Sequence, residues 1–211
     1  MKQGKNIPAY RNRIAVGLIL LVLNHTAGRA VDRYVSLAGG HVPPFTDWTS
    51  AATNIQEAID TASEGDVIWV TNGVYAVGGK VMAGDLTNRA ALDKALTVRS
   101  VNGPFVTTIR GSGGVNGLNA TRCAWLADGA GLIGFTLEGG ATRMAGDTFT
   151  LRSGGGVWGA STNTLIANCI IKSNAASAGA SAVYRGRLNT CLVFHNRSEE
   201  HTSELQSPNT I

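Results

Sequence analysis

Three carboxylates and two arginines crowd one stretch of the chain: Asp128, Glu138 and Asp147, with Arg143 and Arg152 close by. They flank or lie within a segment from Gly140 to Gly155 that is bounded by glycines. Opposed carboxylates are what glycoside hydrolysis uses, one as general acid and the other as base or nucleophile. A catalytic site would therefore be sought here. Turn chemistry accounts for the same residues with fewer assumptions, because acidic side chains beside Gly-rich loops ordinarily stay solvated or bond their own backbone. Solvated turn charge is the favoured reading, and the sequence assigns no catalytic residue.

Other reactive side chains are sparse. His41 and His195 are the only histidines between residues 31 and 196, and His195 sits just before the turn residue Asn196. A Ser-His-Asp relay has almost no material. Cys123, Cys169 and Cys191 lack the Cys-x-x-Cys or Cys/His spacing of a zinc site and read as buried thiols acting as small hydrophobes. A Cys169–Cys191 disulfide would need the two residues stacked, and parallel side chains in a stack are poorly oriented for one. No Gly-rich run ends in Lys-Ser/Thr or opens a helix, so none reads as a phosphate loop. No cofactor or metal site is assigned.

The elements that would position these residues start at Asn54–Tyr75. Ile55, Ala58, Ile59 and Ala62 form one apolar stripe, and Thr53 with Gln56 has the form of a capping box, which predicts a short helix over 54–63. Glu64-Gly65-Asp66 ends it, with Asp66 expected to bond its own turn. Val67-Ile68-Trp69-Val70 then reads as a strand closed by Asn72-Gly73.

This succession, helix, Gly-Asp-Val-Ile-Trp-Val, then Asn-Gly-Val-Tyr, resembles the opening of right-handed parallel β-helix proteins of the pectin-lyase-like superfamily. Arg33 to Leu37, Pro43-Pro44-Phe45 and Trp48 to Asn54 resemble the lead-in of bacterial secreted members, and the resemblance covers roughly residues 33 to 196. It implies an all-β solenoid with an N-terminal capping helix. It does not imply one activity, because that fold carries lyases, hydrolases, epimerases, adhesins and proteins of no known activity. Its lyases commonly use Asp/Glu to hold Ca²⁺ and a basic residue to take a proton, so Ca²⁺ enters only with a lyase reading. The chain has neither an Asp-Asp pair nor a Gly-His-Gly motif.

Self-similarity sets the expected coil. Thr164 to Asn174 aligns with Arg187 to Asn196, and Leu165 and Leu188 stand one position further apart than Cys169 and Cys191 or Asn174 and Asn196. That spacing predicts about 22 residues per coil, a one-residue slip in a turn, and Cys and Asn pairs as ladder neighbours. Gly131 to Gly139 is the same unit one coil earlier, with 140–155 inserted after it. Leu96 to Ser100 and Ala124-Trp125-Leu126 read as further strands, and about six coils are expected over 54–196. Gly154-Gly155-Gly156 and Gly111 to Gly117 read as turns needing positive φ or close backbone approach.

The ends differ in character from this body. Residues 1–30 have a basic start, the apolar run Ile14 to Leu23 and a small-residue close at Gly28-Arg29-Ala30, the form of a secretory signal peptide cut after Ala30. Residues 31–53 form a lead-in to the 54–196 β-helix. Arg197 to Ser207 reads as the translation of a sequencing-library adapter, so residues 197–211 are expected to be an artefact and the natural β-helix to continue past Asn196. An unfinished last coil would expose Leu192 and Phe194 on an unpaired edge.

The formal charge of +4 lies mostly in those ends, leaving 12 basic against 11 acidic residues in the body. That balance argues against a nucleic-acid partner. The expected protein is a secreted or cell-surface β-helix scaffold that binds glycans or partners along its turns. It has no transmembrane segment in the mature chain. The alternative is a polysaccharide lyase or glycoside hydrolase with its site in further coils or at the 140–155 insertion.

Overall fold

The structure, a computed structural model, describes residue 1 and residues 30–199. The expected leader lies outside the described residues except for its terminal positions 1 and 30, and so does the expected adapter-derived tail from residue 200 on.

The elements follow in chain order. β1 (Asp32–Val35) precedes helix α1 (Ile55–Thr61). A first coil holds β2 (Val67–Val70), β3 (Gly73–Tyr75), β4 (Lys80–Ala83) and β5 (Leu86–Leu92). A second holds β6 (Thr97–Ser100), β7 (Thr107–Arg110) and β8 (Thr121–Leu126). A third holds β9 (Gly131–Ile133), β10 (Thr136–Glu138) and β11 (Val157–Gly159). The fourth has β12 (Leu165–Ala167), β13 (Ile170–Lys172), β14 (Ala175–Ala176) and β15 (Val183–Tyr184). The last has β16 (Arg187–Asn189), β17 (Leu192–Phe194) and β18 (Arg197–Ser198).

Successive coils place strands into the same three sheets. The first sheet runs β1-β2-β6-β9-β12-β16, the second β3-β7-β10-β13-β17, and the third β4-β5-β8-β11-β15. Every named pairing is parallel except the β4–β5 hairpin. The chain is thus an all-β, solenoid-like stack of parallel sheets. Among the described residues no helix is long and apolar enough to cross a membrane.

The period-2 alternation of short strands sends one set of side chains into a shared interior. Ile68, Val98, Leu132 and Ile166 form the inner ladder of the first sheet, and Tyr75, Ile109, Leu137 and Ile171 that of the second, all buried. Each such aliphatic side chain contributes about 1.5–3 kcal/mol by leaving water.

The short period expected from the sequence holds only for the last step, in which Leu165 pairs with Arg187. Val67 pairs with Thr97, Thr97 with Gly131 and Gly131 with Leu165, and each of these steps takes a distinctly longer run of chain. The extra length is shared among the corners, with 101–106 between β6 and β7 and the 140–155 segment between β10 and β11 as the long runs, and the pairing of the strands on either side is undisturbed. The expected one-residue slip is absent, because Leu188 pairs with Ile166 rather than with Leu165.

From the third coil on, corners between the first and second sheets are tight and repeat a left-handed residue. Gly134, Asn168 and Thr190 have φ of 84°, 50° and 53° at equivalent positions, and Gly139, Ser173 and His195 have 63°, 54° and 53° at the next corner. The Asn ladder forms as expected. Asn174 Nδ2 donates to Leu137 O (3.0 Å) and Asn196 Nδ2 to Ile171 O (2.9 Å), each reaching back to the preceding coil. Asn174 N and Nδ2 both donate to Asn196 Oδ1.

Helix α1 covers the start of the stack, with Ile55, Ala58 and Ile59 buried in the same cluster as the ladders. Its N-cap is Asn54, whose Oδ1 accepts from Glu57 N (3.1 Å), not the expected Thr53. Asn54 has the extended backbone a cap requires, and its Oδ1 meets the third helical N–H. Gln56 is thereby free for another task. It is buried, with Ala91 N donating to its Oε1 (2.8 Å) and its Nε2 donating to Ala91 O (3.3 Å), tying the helix to β5.

Asp66 does bond its own turn, accepting from Ser63 N (2.8 Å), and it also accepts from Val31 N and Arg33 Nε. The last described coil pairs on one side only. β18 places Arg197 and Ser198 beside Ala175 and Ala176, so pairing extends two residues past Asn196.

Candidate functional site

The 140–155 segment does not hang free beside the third sheet. Arg122, on β8, is fully buried beneath it and donates from Nε to Gly154 O and from Nη2 to Thr150 O and Ser153 O, each at 2.8 Å. Its Nη1 donates to Asn88 Oδ1 (2.9 Å). Burial without a carboxylate partner pushes this guanidinium down to about 9. Four accepting oxygens offset the loss of water, so the arginine acts as a rivet between sheet and loop.

Trp158 adds a second attachment by donating from Nε1 to Phe149 O (2.8 Å). Trp125 and Trp158 are register partners and stack at 3.6 Å between centroids, 12° apart, and Tyr184 continues the row at 6.1 Å. Gly140 and Gly155 meet where no side chain fits. A Cβ on Gly140 would lie 2.0 Å from Gly155 O, and one on Gly155 would lie 2.0 Å from Ala175 O. The expected demand for close backbone approach at Gly154–Gly156 is met, with Gly154 at φ 70°.

The carboxylates of this region occupy three separate local networks. Glu138 projects from the outer face of the second sheet, in register between Arg110 and Lys172. Arg110 Nε donates to Glu138 Oε1 (2.9 Å) and Lys172 Nζ lies 3.2 Å from Oε2. Partial burial acts to raise this carboxyl, but hydrogen bonds from Arg110 and Lys172 prevail and hold it below its ordinary value. A group so held stays ionised at neutral pH, the opposite of what a proton donor to a glycosidic oxygen needs.

Asp147 closes a turn within the insertion, accepting from Thr150 N (2.7 Å), Thr150 Oγ1 (2.8 Å) and Phe149 N (3.1 Å). Those bonds, led by the Thr150 backbone, lower its pKa. Asp128 sits in the turn from β8 to β9 and accepts from Ser161 Oγ and Asn163 Nδ2. The turn reading therefore describes the bonding of Asp147, while Asp128 sits exposed in a turn but bonds side chains of the turn that follows β11.

The two arginines are likewise occupied. Arg143 Nε donates to Asp85 Oδ1 (2.8 Å) and its Nη atoms to Gly117 O, Leu118 O and Asp85 O. Arg152 Nε donates to Ser177 Oγ (3.3 Å). A groove of about 440 Å³ runs past Asp85, Leu118, Arg143, Met144 and Leu151. Glu138, Asp128 and Asp147 do not line it.

His41 lies far along the chain from this region, with Nδ1 3.3 Å from both Glu57 Oε2 and Thr53 Oγ1. His195 is an exposed corner residue edge-on to Phe194. All three cysteines are free. Burial pushes the Cys123 thiol up to about 12. Cys169 is raised by its hydrogen bond with Cys191 and by burial, so it keeps its proton, while that bond pushes the less buried Cys191 down to about 6. Among the described residues no three His, Cys, Asp or Glu side chains gather as metal ligands.

Arg122 and the Trp125–Trp158–Tyr184 row are not found by sequence reasoning. Trp125 and Trp158 are register partners on adjacent coils, yet they stand too far apart in the chain for the short expected period to pair them. Comparison with protein-family models, with curated proteins and with solved structures finds no match to this chain.

Proposed function

We propose that this chain is an exported right-handed parallel β-helix of the pectin-lyase-like type, serving as a non-catalytic scaffold that binds glycans on its outer surface. The right hand is supported by the general rule for connections between parallel strands of one sheet. Export rests on the leader-like residues 1–30.

The observation that carries the non-catalytic reading is the state of the charged groups around the insertion. Glu138, Asp128, Asp147, Arg143 and Arg152 are each committed to bonds that hold the fold together. Side chains bound in this way position loops and are not poised to exchange protons with a substrate.

The test is co-sedimentation of the purified chain with insoluble polysaccharides, paired with assays for new reducing ends and unsaturated uronates. Retention without product is the expected outcome. Release of either product, abolished by Glu138→Gln, would overturn the scaffold reading in favour of a hydrolase or lyase.

A further inference from the structure

The outer face of the first sheet carries a second group of side chains, away from the networks around the 140–155 segment. Tyr34 on β1, Trp69 on β2 and Arg99 on β6 are register partners on three adjacent strands and point away from the core. Trp48, from the lead-in segment, meets Tyr34 edge-on at 4.5 Å between centroids and is 44% exposed. The Arg99 guanidinium lies over the Trp69 ring, 5.5 Å from its centroid, and is exposed. Trp69 Nε1 donates to Asp32 Oδ1 (3.1 Å), which fixes the indole within the row.

Arg99 shares its state with Arg185, which lies 5.2 Å over the Tyr184 ring, and differs from the arginines spent within the fold. Arg33, Arg110, Arg122 and Arg143 each spend their donors on carboxylates or carbonyls. Among the described residues Arg99 has no hydrogen-bond or ion-pair partner, and its guanidinium rests on the Trp69 ring. A guanidinium stacked on an indole keeps its planar set of donors outward, the arrangement that recognises carboxylate and other oxyanions in a bidentate manner. Aromatic side chains beside it offer apolar surface with a polar edge, the partner that the C–H face of a pyranose ring requires. From Tyr34 to Arg99 the row spans two rungs, about 10 Å along the stack.

We propose that this row, Trp48, Tyr34, Trp69 and Arg99, is a binding site for an anionic glycan, with the acidic substituent on Arg99 and a sugar ring against the aromatic side chains. The proposal rests on the glycan-binding reading above and adds a place and a ligand class to it. The acidic group is a carboxylate or a sulfate ester, which share the oxyanion chemistry that Arg99 recognises. A nucleic acid fits less well, because the row offers one unpaired guanidinium beside the Asp32 carboxylate and the body of the chain is nearly neutral.

Affinity electrophoresis of the full chain in gels containing alginate, dextran sulfate or unmodified dextran tests this, with alginate and dextran sulfate separating the two acidic groups. Retardation by at least one anionic polymer and none by dextran is expected. Arg99→Gln should weaken the anionic interaction at least about tenfold, in keeping with loss of a charge-assisted bond. Trp48→Ala, at an exposed position, should weaken it as well, with an unchanged thermal melt showing that the fold is intact. Anionic binding unaltered in both variants would overturn this site while leaving the glycan-binding scaffold standing. Equal retardation by dextran would overturn the anionic class. Absence of binding to all three polymers and to the insoluble polysaccharides would overturn both readings together.

Discussion

The two ends of the described stack carry the same inner ladders and treat them oppositely. At the first end, Ile55, Ala58 and Ile59 of α1 close over the ladders at 0–1% exposure, and Gln56 bonds the backbone of β5. At the last coil the ladder residues Leu188 and Val193 are 43% and 44% exposed and line a hollow of about 760 Å³. The difference shows that a coil supplies only part of its own burial. What lies on the next rung decides whether a ladder position contributes to stability.

The largest expected effect compares like substitutions at the two ends. Ile59→Ala should cost about 2–5 kcal/mol, the range for a fully buried aliphatic. Leu188→Ala should cost less than about 1 kcal/mol, because its side chain is already half in water. Urea unfolding of both variants measures this, and equal losses would break the contrast between a closed and an open end.

Asp66 sharpens the view of the closed end. It is almost fully buried and binds Arg33 Nε at 3.2 Å, so Asp66→Ala should cost roughly 3 kcal/mol by leaving the buried guanidinium without its counter-charge and Ser63 N and Val31 N without their acceptor. Burial acts to raise its pKa, but hydrogen bonds from Ser63, Val31 and Arg33 outweigh that and lower it below 3.8. Its contribution is therefore complete above the unfolded value and is lost as pH falls through the lower folded value. The stability gap between the unmodified chain and Asp66→Asn should narrow as the pH is taken below about 4. A gap that widens on acidification would contradict the assignment.

At the open end, β16 and β17 each have one unpaired edge among the described residues, with Leu192 and Phe194 exposed. Sedimentation velocity should show self-association that grows with concentration, and Leu192→Lys with Phe194→Lys should suppress it. A monomer at every concentration would count against an adhesive edge.

The smallest effect concerns the corners of that coil. Thr190 is β-branched at φ 53°, where the equivalent residue of the third coil is Gly134. Thr190→Gly should stabilise by about 0.5–1 kcal/mol, the relief of left-handed strain exceeding the entropy cost of glycine. A loss of stability in thermal melts would mean that the Thr190 side chain contributes more than its strain costs.

Much of the framework was legible in the sequence. The strand Val67–Val70, the helix stripe of Ile55, Ala58 and Ile59 and the Asn174–Asn196 ladder follow from periodicity and spacing, which are local properties. Partners set by loop length were not legible. The short period between the last two coils fails earlier because loops at all three corners vary in length, and the 140–155 segment in particular hid the Trp125–Trp158 stack. Thr53 and Asn54 are both competent caps by type, and only the backbone course chose Asn54 and freed Gln56 for β5.

The candidate site divides along the same line. Sequence alone determined that the 140–155 segment is bounded by glycines needing special geometry and that Asp128 and Asp147 sit at turns, because both depend on residue type and near neighbours. Tertiary structure alone decided that Glu138 lies between Arg110 and Lys172, that Arg122 rivets the loop, and that Arg99 stands unpaired over Trp69. Those partners lie roughly 30 residues apart in the chain, and the stacking register, set by burial of the inner ladders, brings them onto adjacent rungs.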